Sequence, residues 1–182
     1  MAPRERRPVP WEPAADGTRS CSRSTRQTTR VKQLHGTATA SVAAPVAECL
    51  ALLEAVGAYP DWYPEVVQEV EVIEASDDGR PTKARTTLHV SQGPIVKDFK
   101  LLLAISVDRP TTVKLTRIPN DATDQQRFDV TWQLQDHGDT NIRLGLEANL
   151  SVPRFIPIGS VGNAIAEGFV RAATRALDAR AG

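Results

Sequence analysis

The chain has 182 residues, of which 41% are hydrophobic and 24% are charged, and its 22 basic and 22 acidic residues give a formal net charge of zero. This length suits a single domain with a sizeable core, and no stretch approaches the roughly 20 apolar residues that span a bilayer, which excludes an integral membrane protein built from helices. The two cysteines, Cys21 and Cys49, are too few for a disulfide framework or a zinc site and fit a reducing compartment, so we expect a cytoplasmic protein.

The charge is distributed unevenly along the chain. Residues 1–33 carry a balance of +5, and the rest of the chain carries a balance of −5. Because residues 1–33 also lack apolar periodicity, we predict a disordered basic tail there and a folded domain over residues 34–182. The tail is either solvated, the product of a start site assigned too far upstream, or a basic arm that contacts RNA or anionic lipid. The acidic balance of the folded part argues against a nucleic-acid-binding surface on it.

The folded part opens with a strand and two short helical segments. Small residues alternate from His35 to Val42, which predicts a strand, and apolar residues recur at helical spacing from Val46 to Leu53 after Pro45. The segment Tyr59–Pro64 predicts a second short helix or turn that brings three aromatic residues together.

Six further strands and a long helix complete the pattern. Apolar and polar residues alternate over residues 65–74, 83–90, 99–107, 113–117, 127–134 and 142–150. Such alternation is typical of half-solvated antiparallel strands rather than of a buried parallel sheet. The last helix presents one apolar face, made of Val161, Ile165, Phe169, Ala172 and Ala176. The elements predict an α+β fold in which an antiparallel sheet of about six to seven strands curls around the C-terminal helix.

Three segments carry a family resemblance. They are Val42–Pro81, with the motifs YPDWYP and DDGRP, then Gly93–Leu101, which reads GPIVKDFKL, and Val152–Leu177. Together they resemble the START-like helix-grip superfamily, also called SRPBCC, and within it the polyketide cyclase/dehydrase and coenzyme-Q-binding START group. The resemblance covers about residues 34–180. It implies two short helices after the first strand and a cavity between the sheet and the C-terminal helix. This superfamily includes lipid carriers, aromatase/cyclases, hormone receptors and ribosome-associated factors, so the fold alone does not settle the function.

The strand phases and the apolar helix face predict the residues that line this cavity. Gly168 and Ala172 are small, and we expect them to leave space beneath the helix. Trp62 either plugs the short-helix layer onto the sheet or gates the cavity. Apolar walls with few polar anchors are typical of a site for a hydrophobic ligand, although the same residues could pack as a filled core. The predicted ligand-binding residues are Trp62, Leu88, Phe99, Leu101, Leu103, Trp132, Leu146, Ile165, Phe169 and Ala172.

The chain offers few candidates for catalysis. His35, His89 and His137 lie on outward strand phases or in a turn and have no metal-ligand spacing, so we expect neither a metal nor a cofactor. Arg117 is the one candidate catalytic residue, because it shares the inward phase of a strand and lies at the strand's end. Its guanidinium could hold a carboxylate, phosphate or enolate oxygen at the cavity mouth, or it could extend to solvent.

Three functions remain open at this stage. The first is a non-enzymatic carrier or chaperone for a hydrophobic ligand such as a lipid, quinone, isoprenoid or polyketide-like molecule. The second is a cyclase/dehydratase in which Arg117 stabilises enolate charge. The third is a ribosome- or protein-associated factor that works through its outer surface. The segment Gly93–Phe99 has a Gly-Pro hinge and apolar residues, which predicts a lid or a loop in transient membrane contact. The sequence pattern leaves the oligomeric state open.

Overall fold

The computed structural model describes residues 29–92, 95–153 and 160–181. This part of the chain contains seven strands, three α-helices and one short 3₁₀ helix. In chain order they are β1 (Thr29–Val42), α1 (Val46–Glu54), the 3₁₀ helix (Val56–Ala58), α2 (Tyr59–Trp62), β2 (Val67–Ala75), β3 (Pro81–Gln92), β4 (Ile95–Asp108), β5 (Thr112–Arg117), β6 (Phe128–His137), β7 (Asp139–Pro153) and α3 (Val161–Ala181).

The strands form one antiparallel sheet in the order β1-β7-β6-β5-β4-β3-β2. From β2 to β7 each strand pairs with the next one in the chain. The first strand instead pairs with the last, from Thr29 opposite Pro153 to Val42 opposite Thr140. The predicted antiparallel sheet of six to seven strands is therefore confirmed.

The sheet curves around α3, and the core lies between them. The helix packs mainly against β1 and β7, while α1 covers β5 and β6. Burial alternates along the strands as the sequence pattern predicts: on β3, for example, Ala84, Thr86, Leu88 and Val90 are buried. Each such strand gives one face to the core and the other to solvent. This is the helix-grip arrangement that the family resemblance implies.

The start of α3 meets β1 backbone to backbone. A Cβ added to Gly36 would lie 2.0 Å from the carbonyl oxygen of Gly162, and a Cβ added to Gly162 would lie 2.1 Å from the carbonyl oxygen of His35. The Thr37 amide N–H donates to Asn163 Oδ1 at 3.1 Å beside this contact. Only residues without a Cβ allow so close an approach, so this glycine pair fixes the distance between the helix and the sheet.

The first strand is longer than the sequence predicts. It begins at Thr29 and not at His35, so residues 29–33 belong to the sheet and not to the predicted tail over residues 1–33. Their backbone groups pair with residues 149–153 of β7, and this pairing supports a strand that the side-chain pattern alone does not indicate. Residues 1–28 of the predicted tail lie outside the described residues, as do Gly93 and Pro94 of the predicted loop.

Candidate functional site

Two apolar cavities lie between the inner face of the sheet and α3. Chamber 1 has a volume of about 30 Å³ and is bounded by residues that include Val56, Tyr59, Ala84, Thr86, Leu103 and Trp132. Chamber 2 has a volume of about 40 Å³ and is bounded by residues that include Leu34, Val66, Phe99, Leu101, Arg117 and Ile165.

Three side chains separate the two chambers. Leu88 on β3, Phe128 on β6 and Phe169 on α3 line both of them. The Phe169 ring makes edge contacts with Tyr63, at 4.8 Å between ring centroids, and with Trp132, at 6.5 Å. A change in the positions of these three side chains would therefore alter both chambers.

The chambers are small in this conformation. A volume of 30–40 Å³ admits one or two water-sized molecules, whereas pockets that hold drug-sized ligands measure about 300–1,000 Å³. A molecule larger than the chambers can enter only if the side chains that line both of them, the surrounding loops or α3 move. The chambers would therefore have to expand to hold a molecule of that size.

Eight of the ten predicted ligand-binding residues line these chambers. Leu103 and Trp132 lie on chamber 1, and Leu88 and Phe169 lie on both. The remaining four lie on chamber 2: Phe99, Leu101, Leu146 and Ile165. Val56 and Tyr59 also line chamber 1, but they are not among the predicted ligand-binding residues, because their helical segments are too short to show a periodic apolar face.

Trp62 and Ala172 lie elsewhere. They line an open groove of about 470 Å³ on the surface between α2 and the end of α3. The expectation that small residues leave space beneath α3 is also wrong for Gly168, because a Cβ there would lie 2.2 Å from the Tyr63 hydroxyl oxygen. The small residues of α3 accommodate the aromatic residues around α2 instead of enlarging the chambers.

Chamber 1 has one unsatisfied donor. The Trp132 indole N–H is fully buried and has no hydrogen-bond partner among the described residues. The Tyr59 hydroxyl lies near it, but the two groups do not form a hydrogen bond of normal geometry. That hydroxyl donates to the Leu53 carbonyl oxygen at 2.7 Å, and burial raises the pKa of Tyr59, so the phenol stays protonated. The Thr86 hydroxyl donates to the Glu69 carbonyl oxygen at 3.0 Å.

Arg117 lies on the wall of chamber 2. Its side chain is 5% exposed, so it does not extend to solvent. Nη1 donates to the Gln126 carbonyl oxygen at 2.9 Å and Nη2 donates to Asp124 Oδ2 at 2.6 Å. The Nε–H group is buried and has no partner within the described part of the chain. A buried donor without a partner costs about 1–3 kcal/mol, which an acceptor atom of a bound molecule would offset.

Asp124 holds the guanidinium from the loop between β5 and β6. Its Oδ2 also accepts the Asn120 amide N–H at 3.0 Å, and its Oδ1 accepts the Gln126 amide N–H at 3.0 Å. The Arg117 guanidinium, followed by these two amides, holds the pKa of Asp124 well below its usual range. Arg117 and Asp124 therefore form an ionised pair whose net charge is zero. The sequence pattern does not indicate Asp124, because only the loop conformation brings it to Arg117.

Chamber 2 has a polar rim, made of residues just before β6 and late in β7, at the edge of the sheet where β3 ends and β4 begins. Gln126, Arg127 and Asn149 contribute to the lining there. On the hairpin, Val96 is 67% exposed, and Lys97 Nζ lies 5.1 Å from the centroid of the Phe99 ring, which itself lines the chamber.

The described residues offer neither a metal site nor a membrane-spanning helix. No group of three or more His, Cys, Asp or Glu side chains in residues 29–92, 95–153 and 160–181 is arranged to hold a metal ion. His35 and His89 lie on the outer face of the sheet, and His137 lies at the end of β6. The Nδ1 atom of His89 lies 2.6 Å from Asp98 Oδ1. No described helix is both long enough and apolar enough to cross a membrane.

Comparison with known proteins places the chain in a family. The family model described as polyketide cyclase / dehydrase and lipid transport matches residues 42–178. No curated protein matches the chain.

Among solved structures, a START superfamily protein from Mycobacterium smegmatis is similar at 15% identity and a TM-score of 0.66, over 81% of this chain and 99% of that one. A protein from Thermus thermophilus is similar at 14% identity and a TM-score of 0.62, over the same shares of the two chains. An aromatase/cyclase from a Streptomyces species is similar at 16% identity and a TM-score of 0.53, over 83% of this chain and 97% of that one. At such identities the likeness establishes the fold and no activity. Since the family model spans most of the folded part, the chain belongs to the polyketide cyclase / dehydrase and lipid transport family, and it has the START-like fold of the similar structures.

Proposed function

We propose that this protein binds a small hydrophobic molecule between the sheet and α3 and acts as its carrier or chaperone. The ligand classes that fit are lipids, quinones, isoprenoids and polyketide-like molecules. The observation that carries the proposal is the pair of apolar chambers that share Leu88, Phe128 and Phe169 as lining residues. A cavity with apolar walls and a few buried donors is suited to a mostly apolar guest that carries a small number of oxygen atoms.

Binding in this account requires expansion of the site. The Phe169 ring is the natural moving part, because it divides the chambers and touches aromatic rings only at their edges. Displacing it joins chambers 1 and 2 into one elongated space. The free energy of burying the ligand's apolar surface, about 25 cal/mol per Å², then offsets the loss of packing around the ring.

The proposal includes a route for the ligand. The β3–β4 hairpin and the polar rim lie at the same end of chamber 2, so we propose that the ligand enters there. The exposed Val96 and the neighbouring Lys97 suit transient contact with a lipid surface, with the apolar side chain at the acyl boundary and the ammonium near the headgroups. A cytoplasmic location is part of the same proposal and rests on the sparse cysteines.

Three neighbouring leucines on β4 give a matched test. Leu101 lines chamber 2 and Leu103 lines chamber 1, while Leu102 between them has the opposite strand phase and lines neither. We expect Leu101→Phe and Leu103→Phe to weaken binding of the neutral fluorescent probe N-phenyl-1-naphthylamine by about fivefold or more, because overfilling a packed site typically costs about 1–3 kcal/mol. Leu102→Phe should leave the affinity unchanged.

The controls separate loss of binding from loss of fold. Circular dichroism and thermal unfolding verify that each variant keeps the sheet and α3. Equal probe affinity in all three variants would show that the probe binds outside the chambers. The absence of any binding to the native protein would contradict the proposal.

A second function, a cyclase/dehydratase, is supported by one observation, the burial of Arg117 on the wall of chamber 2. A guanidinium at that place could stabilise enolate charge in a poly-β-ketone substrate. The expected signature is turnover of such a substrate that falls at least about tenfold in Arg117→Ala. Unchanged turnover in that variant would remove Arg117 from any mechanism.

A further inference from the structure

Building on the proposed function, we propose that chamber 2 selects ligands whose polar end is an uncharged oxygen, as in a ketone, quinone, ester or alcohol, over carboxylates of the same chain length. The donor is the Arg117 Nε–H group. Asp124 sets the selectivity, because it neutralises the guanidinium before any ligand arrives.

The hydrogen bonds within the protein leave one nitrogen of Arg117, Nε, without a partner among the described residues. Nη1 and Nη2 of Arg117 are already engaged by the Gln126 carbonyl oxygen and the Asp124 carboxylate, while Nε has no partner among the described residues. The paired contact by which an arginine usually holds a carboxylate uses a terminal nitrogen together with Nε, and both terminal nitrogens of Arg117 already donate to acceptors of the protein. A ligand with one acceptor oxygen needs only Nε.

The charges of the chamber wall favour the uncharged partner. Arg117 and Asp124 sum to zero, and their side chains are only 5% and 10% exposed. The other cation on the rim, Arg127, is paired with both Asp129 and Glu147 on the outer face. A carboxylate entering the chamber would therefore lose its hydration without meeting a net positive charge.

Asp124 is not easily displaced by an incoming acid. Its carboxylate accepts three hydrogen bonds, from the Arg117 guanidinium and from the Asn120 and Gln126 amides. A ligand carboxylate would have to break this set to take its place, whereas a ketone or hydroxyl oxygen needs only the Nε–H that is already unpaired.

Three C13 probes test the selectivity by displacing N-phenyl-1-naphthylamine from the full chain at pH 7.5. They are 2-tridecanone, tridecane and tridecanoate, which differ in the oxygen they carry. In the native protein we expect 2-tridecanone to bind about tenfold more tightly than either of the others, since a hydrogen bond from a charged donor is worth about 1.5–3 kcal/mol. In Asp124→Asn the site gains a positive charge, so tridecanoate should improve at least about tenfold relative to 2-tridecanone.

Removing the donor gives the complementary result. The double variant Arg117→Met/Asp124→Asn leaves no buried charge without a partner, and it should bind 2-tridecanone and tridecane with similar affinity. If the native protein binds the ketone no better than the alkane, or binds tridecanoate best, the selectivity proposal is wrong while the proposed carrier function stands. If none of the three probes displaces the dye, both proposals are overturned.

Discussion

The contact between Gly36 and Gly162 makes a stringent test of how α3 is held. In Gly36→Ala the new methyl group would lie 2.0 Å from the Gly162 carbonyl oxygen, and in Gly162→Ala it would lie 2.1 Å from the His35 carbonyl oxygen. Ordinary contact needs at least about 3.4 Å, so in either variant the start of α3 must move away from β1 by more than an ångström. The clashing atoms belong to the backbone and cannot rotate away.

The expected cost is large for a single methyl group. Overfilling a well-packed site costs about 1–3 kcal/mol, and we expect each alanine variant to lose about 3 kcal/mol because the shift also strains the Thr37–Asn163 hydrogen bond. For a chain of this length that loss corresponds to a fall in Tm of about 6–12 °C. Helix propensity alone predicts the opposite sign for Gly162→Ala, since alanine favours helices over glycine by up to about 1 kcal/mol.

Thermal and urea unfolding, followed by circular dichroism, measure the effect. Gly145→Ala is the matched control, because the nearest atom to its added Cβ is the Thr131 carbonyl oxygen at 4.0 Å. We expect that variant to lie within about 0.5 kcal/mol of the native protein. If Gly36→Ala and Gly162→Ala were as stable as Gly145→Ala, the helix would not be held by this contact and the reasoning would be refuted.

Two further predictions concern buried polar groups. The pKa of Asp124 in the folded state lies below its ordinary value of 3.8, so the ionised carboxylate stabilises the fold above about pH 4 and this stabilisation is lost as the pH falls further. Asp124→Asn should therefore be less stable than the native protein at pH 7, and the difference between the two free energies of unfolding in urea should narrow below pH 4. A difference that stays constant from pH 7 to pH 2.5 would argue against the ion pair. Tyr59→Phe removes the donor to the buried Leu53 carbonyl oxygen, so unfolding in urea should show a loss of about 1–3 kcal/mol, and an unchanged midpoint would mean that this bond contributes nothing.

The alternation of apolar and polar residues predicts the strands well, because the sequence of each strand by itself shows which of its side chains are buried. In β3, every second residue from Ala84 to Val90 is buried. Any strand of a sheet with one solvent-exposed face shows this pattern, whichever strands it pairs with. The same logic correctly places Leu101 and Leu103 on the chambers. The start of β1 escapes this reasoning, because residues 29–33 are held by backbone pairing with β7 and not by an apolar face.

The site is less predictable where distant segments meet. The small residues Gly168 and Ala172 suggest open space beneath α3. Only the folded chain shows that the Tyr63 hydroxyl lies against Gly168 and that Trp62 lines the same surface groove as Ala172. The inward phase of Arg117 is readable from β5, yet its neutral pairing depends on a loop that brings Asp124 back to it. A strand pattern has no information about such a loop, so the charge state of the chamber becomes visible only in the structure.

Native mass spectrometry tests the central claim, the binding of a hydrophobic molecule between the sheet and α3, most directly. The purified full chain and its Leu101→Phe variant would be measured after incubation with a panel of quinones, isoprenoids, lipids and polyketide-like aromatics. The account predicts a one-to-one complex between the native protein and at least one apolar compound, extractable with organic solvent and diminished in the variant. A native protein that stays free of every compound would contradict it and would show that the chambers are a filled core.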